Sequence, residues 1–130
     1  MMRNTLGKEE KLKSTKLIEQ LFKEGLRIKS GGIQLIYLKV AHSGSFPIKV
    51  GFSVPKKLFK RAVDRNLFKR RMREVYRKNK HLFYENISDP YIFMFIYTAK
   101  NELKYLEIEE LFLKIQLKFI KKNQENEKKT

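Results

Sequence analysis

Cysteine is absent from the 130 residues. This excludes a disulfide framework, a thiolate zinc site, an iron–sulfur cluster and a cysteine nucleophile, and a reducing compartment is the natural setting. No apolar run approaches the roughly 20 residues of a membrane span. The opening stretch MMRNTLGKEEKLKS also lacks the apolar core of a signal peptide. A soluble, cytoplasmic protein without a membrane partner is expected. Acidic residues are scarce too: 14 Asp+Glu against 30 Lys+Arg leave a formal net charge of +16. Self-repulsion of that size is relieved by a polyanion, so nucleic acid or an anionic surface is the expected partner.

What is present is enough for a core. Hydrophobic residues make up 42% of the chain, with ten Phe and six Tyr, which argues against a disordered basic tail. A chain of this length forms one domain and buries roughly two-thirds of the surface its unfolded form exposes. The charge is unevenly spread. From Lys56 to Lys80, twelve basic residues stand against two acids, Asp64 and Glu74. A weaker cluster, Lys121, Lys122, Lys128 and Lys129 mixed with Glu125 and Glu127, closes the sequence. One domain over 1–122 and a polar, disordered tail over 123–130 are expected.

Patterning predicts alternating elements. Ser14 or Thr15 caps a helix running to Glu24, with Leu17, Ile18, Leu21 and Phe22 on one face and Gly25 as its stop. Residues 33–41 and 47–54 read as two strands joined through His42-Ser43-Gly44-Ser45, an antiparallel hairpin. Pro55 ends the second. A basic segment free of Gly and Pro, from about Arg61 to Leu82, reads as a helix of five to six turns at about 3.6 residues each. Residues 91–98, YIFMFIYT, are uniformly apolar and predict a central strand buried on both faces. Leu106, Leu111, Ile115 and Phe119 mark an amphipathic helix over 106–121. The order α-β-β-α-β-α is an α/β sandwich, one small sheet with helices, whose strand–helix–strand passage would by default cross over right-handed.

Within the basic helix, Asn66, Lys69, Arg70, Arg73 and Arg77 share one stripe, opposite Phe68, Met72, Val75, Tyr76 and Leu82. Guanidinium groups bind phosphate bidentately and Asn reaches base edges or 2′-hydroxyls, a combination suited to a folded polyanion. A merely solvated face alternates signs, whereas here Glu74 alone interrupts the cations. Strand alternation adds a second surface. Tyr37 and Lys39 share a face, as do Lys49, Gly51 and Ser53, and the two groups are expected side by side as a strip for single-stranded nucleic acid. An ordinary half-solvated sheet face is the alternative. No catalytic site emerges: Asp64 and Asp89 lie in separate segments, His42 and His81 have no ligand-spaced partner, and no phosphate-binding loop or nucleophile elbow occurs.

The stretch from Gly51 to Arg77, GFSVPKKLFKRAVDRNLFKRRMREVYR, resembles the signature of the bacterial ribonuclease P protein family. Its elements are G-x-S-V-x-K-K, a spacer, A-V-x-R-N, then K-R and a further R. They are met here by Gly51, Ser53, Val54, Lys56, Lys57, Ala62, Val63, Arg65, Asn66, Lys69, Arg70 and Arg73. An N-terminal helix ending in Phe22-Lys23-x-Gly25 agrees. The resemblance implies a small basic subunit whose partner is a large catalytic RNA, one protein per RNA. That RNA holds Mg²⁺ and removes the 5′ leader of precursor tRNA, with no cofactor or metal bound by the protein alone. It implies a left-handed crossover, against the default. It places Arg65, Asn66, Lys69, Arg70, Arg73 and Arg77 on the RNA subunit, and Phe22, Tyr37, Lys49, Ser53, Lys56 and Lys57 in a leader-binding cleft between the first helix and the sheet. The chain departs from the family pattern at three places. Leu67 stands at the third position of the family's commonest form, R-N-R, where an Arg is usual, so one RNA contact is missing or replaced, with Arg71 the candidate replacement; Ile18 stands where an aromatic is usual; and the spacer Leu58–Arg61 is slightly long. A structural RNA-binding protein of the ribosomal kind is the alternative; a metal-dependent nuclease and a helix-turn-helix DNA binder fit less well.

Overall fold

The computed structural model describes residues 6–42 and 45–128, with side chains as far as residue 124. A 3-10 turn, Lys8–Glu10, leads into α1 (Thr15–Glu24), β1 (Leu26–Ser30), β2 (Ile33–Lys39), β3 (Ile48–Ser53), α2 (Ala62–Asn79), α3 (His81–Glu85), β4 (Tyr91–Tyr97) and α4 (Tyr105–Lys128). The fold is mixed α and β around one four-stranded sheet of order β1-β2-β4-β3.

Local signals place most elements. Ser14 caps α1, its hydroxyl accepting from the Leu17 amide at 3.2 Å, and the helix ends at Gly25. The expected hairpin of β2 with β3 does not form. β4 lies between them, antiparallel to β2 and parallel to β3. A strand as apolar as YIFMFIY loses least when both faces and both edges are covered, so it takes the centre of the sheet and separates the two. The hairpin that does form is β1 with β2, turning at Gly31-Gly32 with Gly31 at φ 54°. Five residues, LRIKS, make β1, too short for alternation to announce it.

Register sets the two faces. Leu35 and Tyr37 of β2, Phe93 and Phe95 of β4, and Val50 of β3 point to one side, where Phe68, Met72, Val75 and Tyr76 of α2, Phe83 of α3, and Ile108, Phe112, Ile115 and Phe119 of α4 close the main core. Ile36, Ile92 and Met94 point to the other side, against Leu12 and Leu21 with Leu17 and Ile18 of α1 alongside. Of the apolar stripe expected for α2, Phe68, Met72, Val75 and Tyr76 are buried and Leu82 is half-buried beyond the helix; that of α4 is shifted, with Ile108 and Phe112 inside and Leu106 73% exposed.

Two boundaries move. The basic helix stops at Lys80, whose side chain is buried against Glu10, and Leu82 belongs to the separate α3. α4 continues to Lys128 instead of fraying after 122. Asn123 accepts from the Tyr91 hydroxyl at 3.1 Å and donates to the Asn86 carbonyl at 3.0 Å, which packs the start of the expected tail. Residues 129–130 lie outside the described residues. Among the described residues no helix is long and apolar enough to cross a membrane.

Candidate nucleic-acid interface

Burying Phe68, Met72, Val75 and Tyr76 turns the opposite side of α2 outward. Asn66 and Arg70 are exposed and Lys69 and Arg73 half-buried. They line a shallow groove of about 450 Å³ with Val63, Leu67 and one acid, Asp64. Leu67, where the family's usual pattern has a cation, thus contributes an apolar wall. Arg73 also lines a second groove of about 440 Å³ along the edge of β3, with Lys11, Leu12, Lys13, Gly51 and Phe52. Its guanidinium lies 6.0 Å from the centroid of the Phe52 ring, a cation–π contact that fixes the arm where the two grooves meet.

Lys11 and Lys13 carry no signal in the sequence, because their position depends on distant partners. The Leu12 amide donates to the Val50 carbonyl at 2.9 Å, docking the segment on β3. Two residues earlier, Glu10 is buried with Lys80. Nζ donates to its two carboxylate oxygens at 3.0 and 2.8 Å, and the Tyr84 hydroxyl donates at 3.0 Å. A fully desolvated pair satisfied by a third donor holds the N-terminal segment in one place.

Three arginines differ in their partners. Nη1 of Arg65 donates to the carbonyls of Phe59 at 2.9 Å and Lys60 at 2.7 Å, closing the loop before α2. The slightly long spacer is accommodated there by Phe59, whose ring packs 4.6 Å from Phe68 and 5.6 Å from Tyr97. Arg71 donates to the Leu103 carbonyl at 2.8 Å and sits over the Phe68 ring, so it braces α2 against the segment leading into α4. Arg77 pairs with Glu74 at 2.9 Å, which offsets its charge.

The sheet strip is not assembled as expected. Lys49, Gly51 and Ser53 of β3 lie on the α1 side, in register with Ile92, Met94 and Ile96. Tyr37 points the other way. It pairs with Phe93, packs edge-on at 5.0 Å against Phe119 and is only 8% exposed, and burial raises its phenol pKa. The expectation of Tyr37 in a cleft between α1 and the sheet is therefore corrected: β4 stands between β2 and β3, and register turns Tyr37 toward α4. Lys39, paired with Asp89 at 3.2 Å, shares that face. Phe22 on α1 is 44% exposed, and Lys56 and Lys57 are exposed in the loop after β3. Ile18, in place of an aromatic, packs against the smaller core. Among the described residues no three metal-ligating side chains converge.

These features define a class: a basic α+β domain with a cationic helix face along one edge of its sheet. The sequence model of the Ribonuclease P family matches residues 6–122, and the chain belongs to that family. It is similar to the ribonuclease P protein component of Chlorobaculum tepidum, 42% identical over 82 residues that cover 61% of this chain and 53% of the relative. With that of Chlorobium phaeobacteroides it shares 41% over 80 residues, 59% of this chain and 55% of the relative, so the chain spans about half the length of these two. The Borrelia hermsii component is 31% identical over 112 residues, 86% of this chain and 93% of the relative. The fold is that of the Thermotoga maritima RNase P protein (TM-score 0.66, 23% identity, 82% of this chain and 94% of that one). The Staphylococcus aureus RNase P protein is equally near (TM-score 0.65, 22% identity, 85% and 94%).

Proposed function

We propose that this chain is the RNA-binding protein subunit of ribonuclease P, assisting a catalytic RNA that removes the 5′ leader from precursor tRNA in the cytoplasm. The α2 face carries this reading: Asn66, Lys69, Arg70 and Arg73 are turned outward beside a single acid, on a chain of net charge +16. Guanidinium groups give paired hydrogen bonds to phosphate, and the amide reads edges or 2′-hydroxyls, so the face suits the RNA subunit. Its cations screen phosphate repulsion, which lets the RNA bind precursor at lower Mg²⁺. In this reading the metal chemistry resides in the RNA. Lys49, Ser53, Lys56 and Lys57, with Phe22 on α1, are the leader-facing set. Lysine charge and an exposed aromatic suit a single strand of any sequence. One protein per RNA is the proposed stoichiometry.

Reconstitution tests this. Added to a ribonuclease P RNA, the protein is expected to lower the Mg²⁺ needed for precursor cleavage and to tighten precursor over mature tRNA. Binding to ribosomal RNA with neither effect would instead identify a structural RNA-binding protein.

A further inference from the structure

A third cationic groove lies on the edge of the sheet away from α2. The order β1-β2-β4-β3 puts β1 at one edge and β3 at the other; α4 packs over β1 and β2, and α2 over β3. Between β1 and the C-terminal half of α4 is a groove of about 380 Å³ lined by Arg27, Ile28, Lys29, Lys118, Lys121 and Lys122. All five cations are exposed. Among the described residues no acid lines the groove and none of the five forms an ion pair.

Lysines guard open sheet edges against pairing with another chain. Lys118 does so here, donating to the Lys29 carbonyl at 3.3 Å. That role accounts for the Lys118 contact and leaves Lys121 and Lys122 at the β1 edge with no carboxylate among the described groove residues, a concentration of positive charge that favours a bound anion. We propose that this groove binds the phosphodiester backbone of RNA, so that the protein bridges two RNA segments, one on α2 and one between β1 and α4. The choice of RNA among polyanions rests on the function proposed above. The makeup of the groove supports it: four lysines and one arginine, with Ile28 as its only apolar member and buried, give point charges for phosphates of any sequence. A membrane-binding face would line the groove with exposed apolar side chains. Lys118 and Lys122 stand one turn apart, about 6 Å along the helix, the scale of successive phosphates in a strand. The two sheet edges are separated by about 14 Å, three strand spacings, with α4 between the grooves, so each takes its own segment.

The test uses the full chain with a ribonuclease P RNA and, separately, a short RNA duplex. Lys118→Gln, Lys121→Gln and Lys122→Gln combined should weaken both complexes several-fold and reduce the log–log salt slope by about 2 to 3, at about 0.7–0.9 per phosphate contact. Since the chain has no cysteine, Lys122→Cys and Asn66→Cys can each carry a tethered iron–EDTA cleaver. Cuts in two different RNA segments are expected; segments cut only when precursor is added assign the groove to substrate, and segments cut without it to the RNA subunit. An unchanged affinity and slope in a triple variant with wild-type circular dichroism and urea midpoint overturns the proposal. So do coincident cuts from the two positions, or lost binding to phosphatidylglycerol vesicles with RNA binding intact. All readouts are of binding, so failure of the Mg²⁺ assay would remove the ribonuclease P reading and leave this one standing.

Discussion

Arg65 and Arg70 stand on the same helix and serve different ends. Arg65 holds the Phe59 and Lys60 carbonyls, whereas Arg70 is exposed in the α2 groove. Arg65→Ala should therefore lower stability by about 1–3 kcal/mol as well as weaken RNA binding. Arg70→Ala should change stability by less than about 0.5 kcal/mol while reducing the salt slope of RNA binding; urea denaturation beside salt-dependent titration separates the two. Equal loss of stability in both would refute the clamp. Glu10 and Lys80 make a second residue-scale case, each 2% exposed. Glu10→Gln strands a buried ammonium and should cost about 3–5 kcal/mol, whereas Glu10→Leu with Lys80→Met should recover most of it. Neither role is legible in the chain, because Glu10 sits in an ordinary charged run and its partner is 70 residues away.

At the scale of elements, α1, α2 and β4 were legible because their signals are consecutive: a serine cap, a 3.6-residue stripe, an unbroken apolar run. β1 was not, and neither was strand pairing. The join of α1 to β1 shows how tightly the elements meet. A Cβ on Gly25 would come 2.4 Å from the Leu21 carbonyl oxygen and 2.7 Å from Ile36 Cγ2. Its φ of −68° is ordinary, so the glycine is required by close approach and not by backbone conformation. Gly25→Ala should destabilise by about 1–3 kcal/mol, read from the urea midpoint, and an unchanged midpoint would mean that α1 is free to lift off β2.

For the whole molecule, the tyrosines give the fold an alkaline limit. Burial raises the pKa of Tyr37, Tyr76, Tyr84 and Tyr97, with the Glu10 carboxylate adding to Tyr84. Their folded values lie above the unfolded value of 10.0, so their contribution to stability is complete below that pH and declines as pH rises past it, where only the unfolded chain ionises. Urea midpoints should hold from neutral pH to about 9 and then fall, with tyrosinate absorbance from these four in the folded protein displaced to higher pH than in the unfolded chain. Free titration of all six tyrosines in the folded protein would contradict the burial. The sequence alone determined the excess of positive charge, the cationic face of α2 and the family, since each is written in residues near one another along the chain. Only the tertiary structure decided that β4 separates β2 from β3, that Tyr37 looks toward α4, that Arg65 holds the loop before α2 and Arg71 the Leu103 carbonyl, and that Lys29 meets Lys118. Those outcomes depend on which distant segments pair and in what register, and a one-residue change in register would turn every strand side chain to the other face.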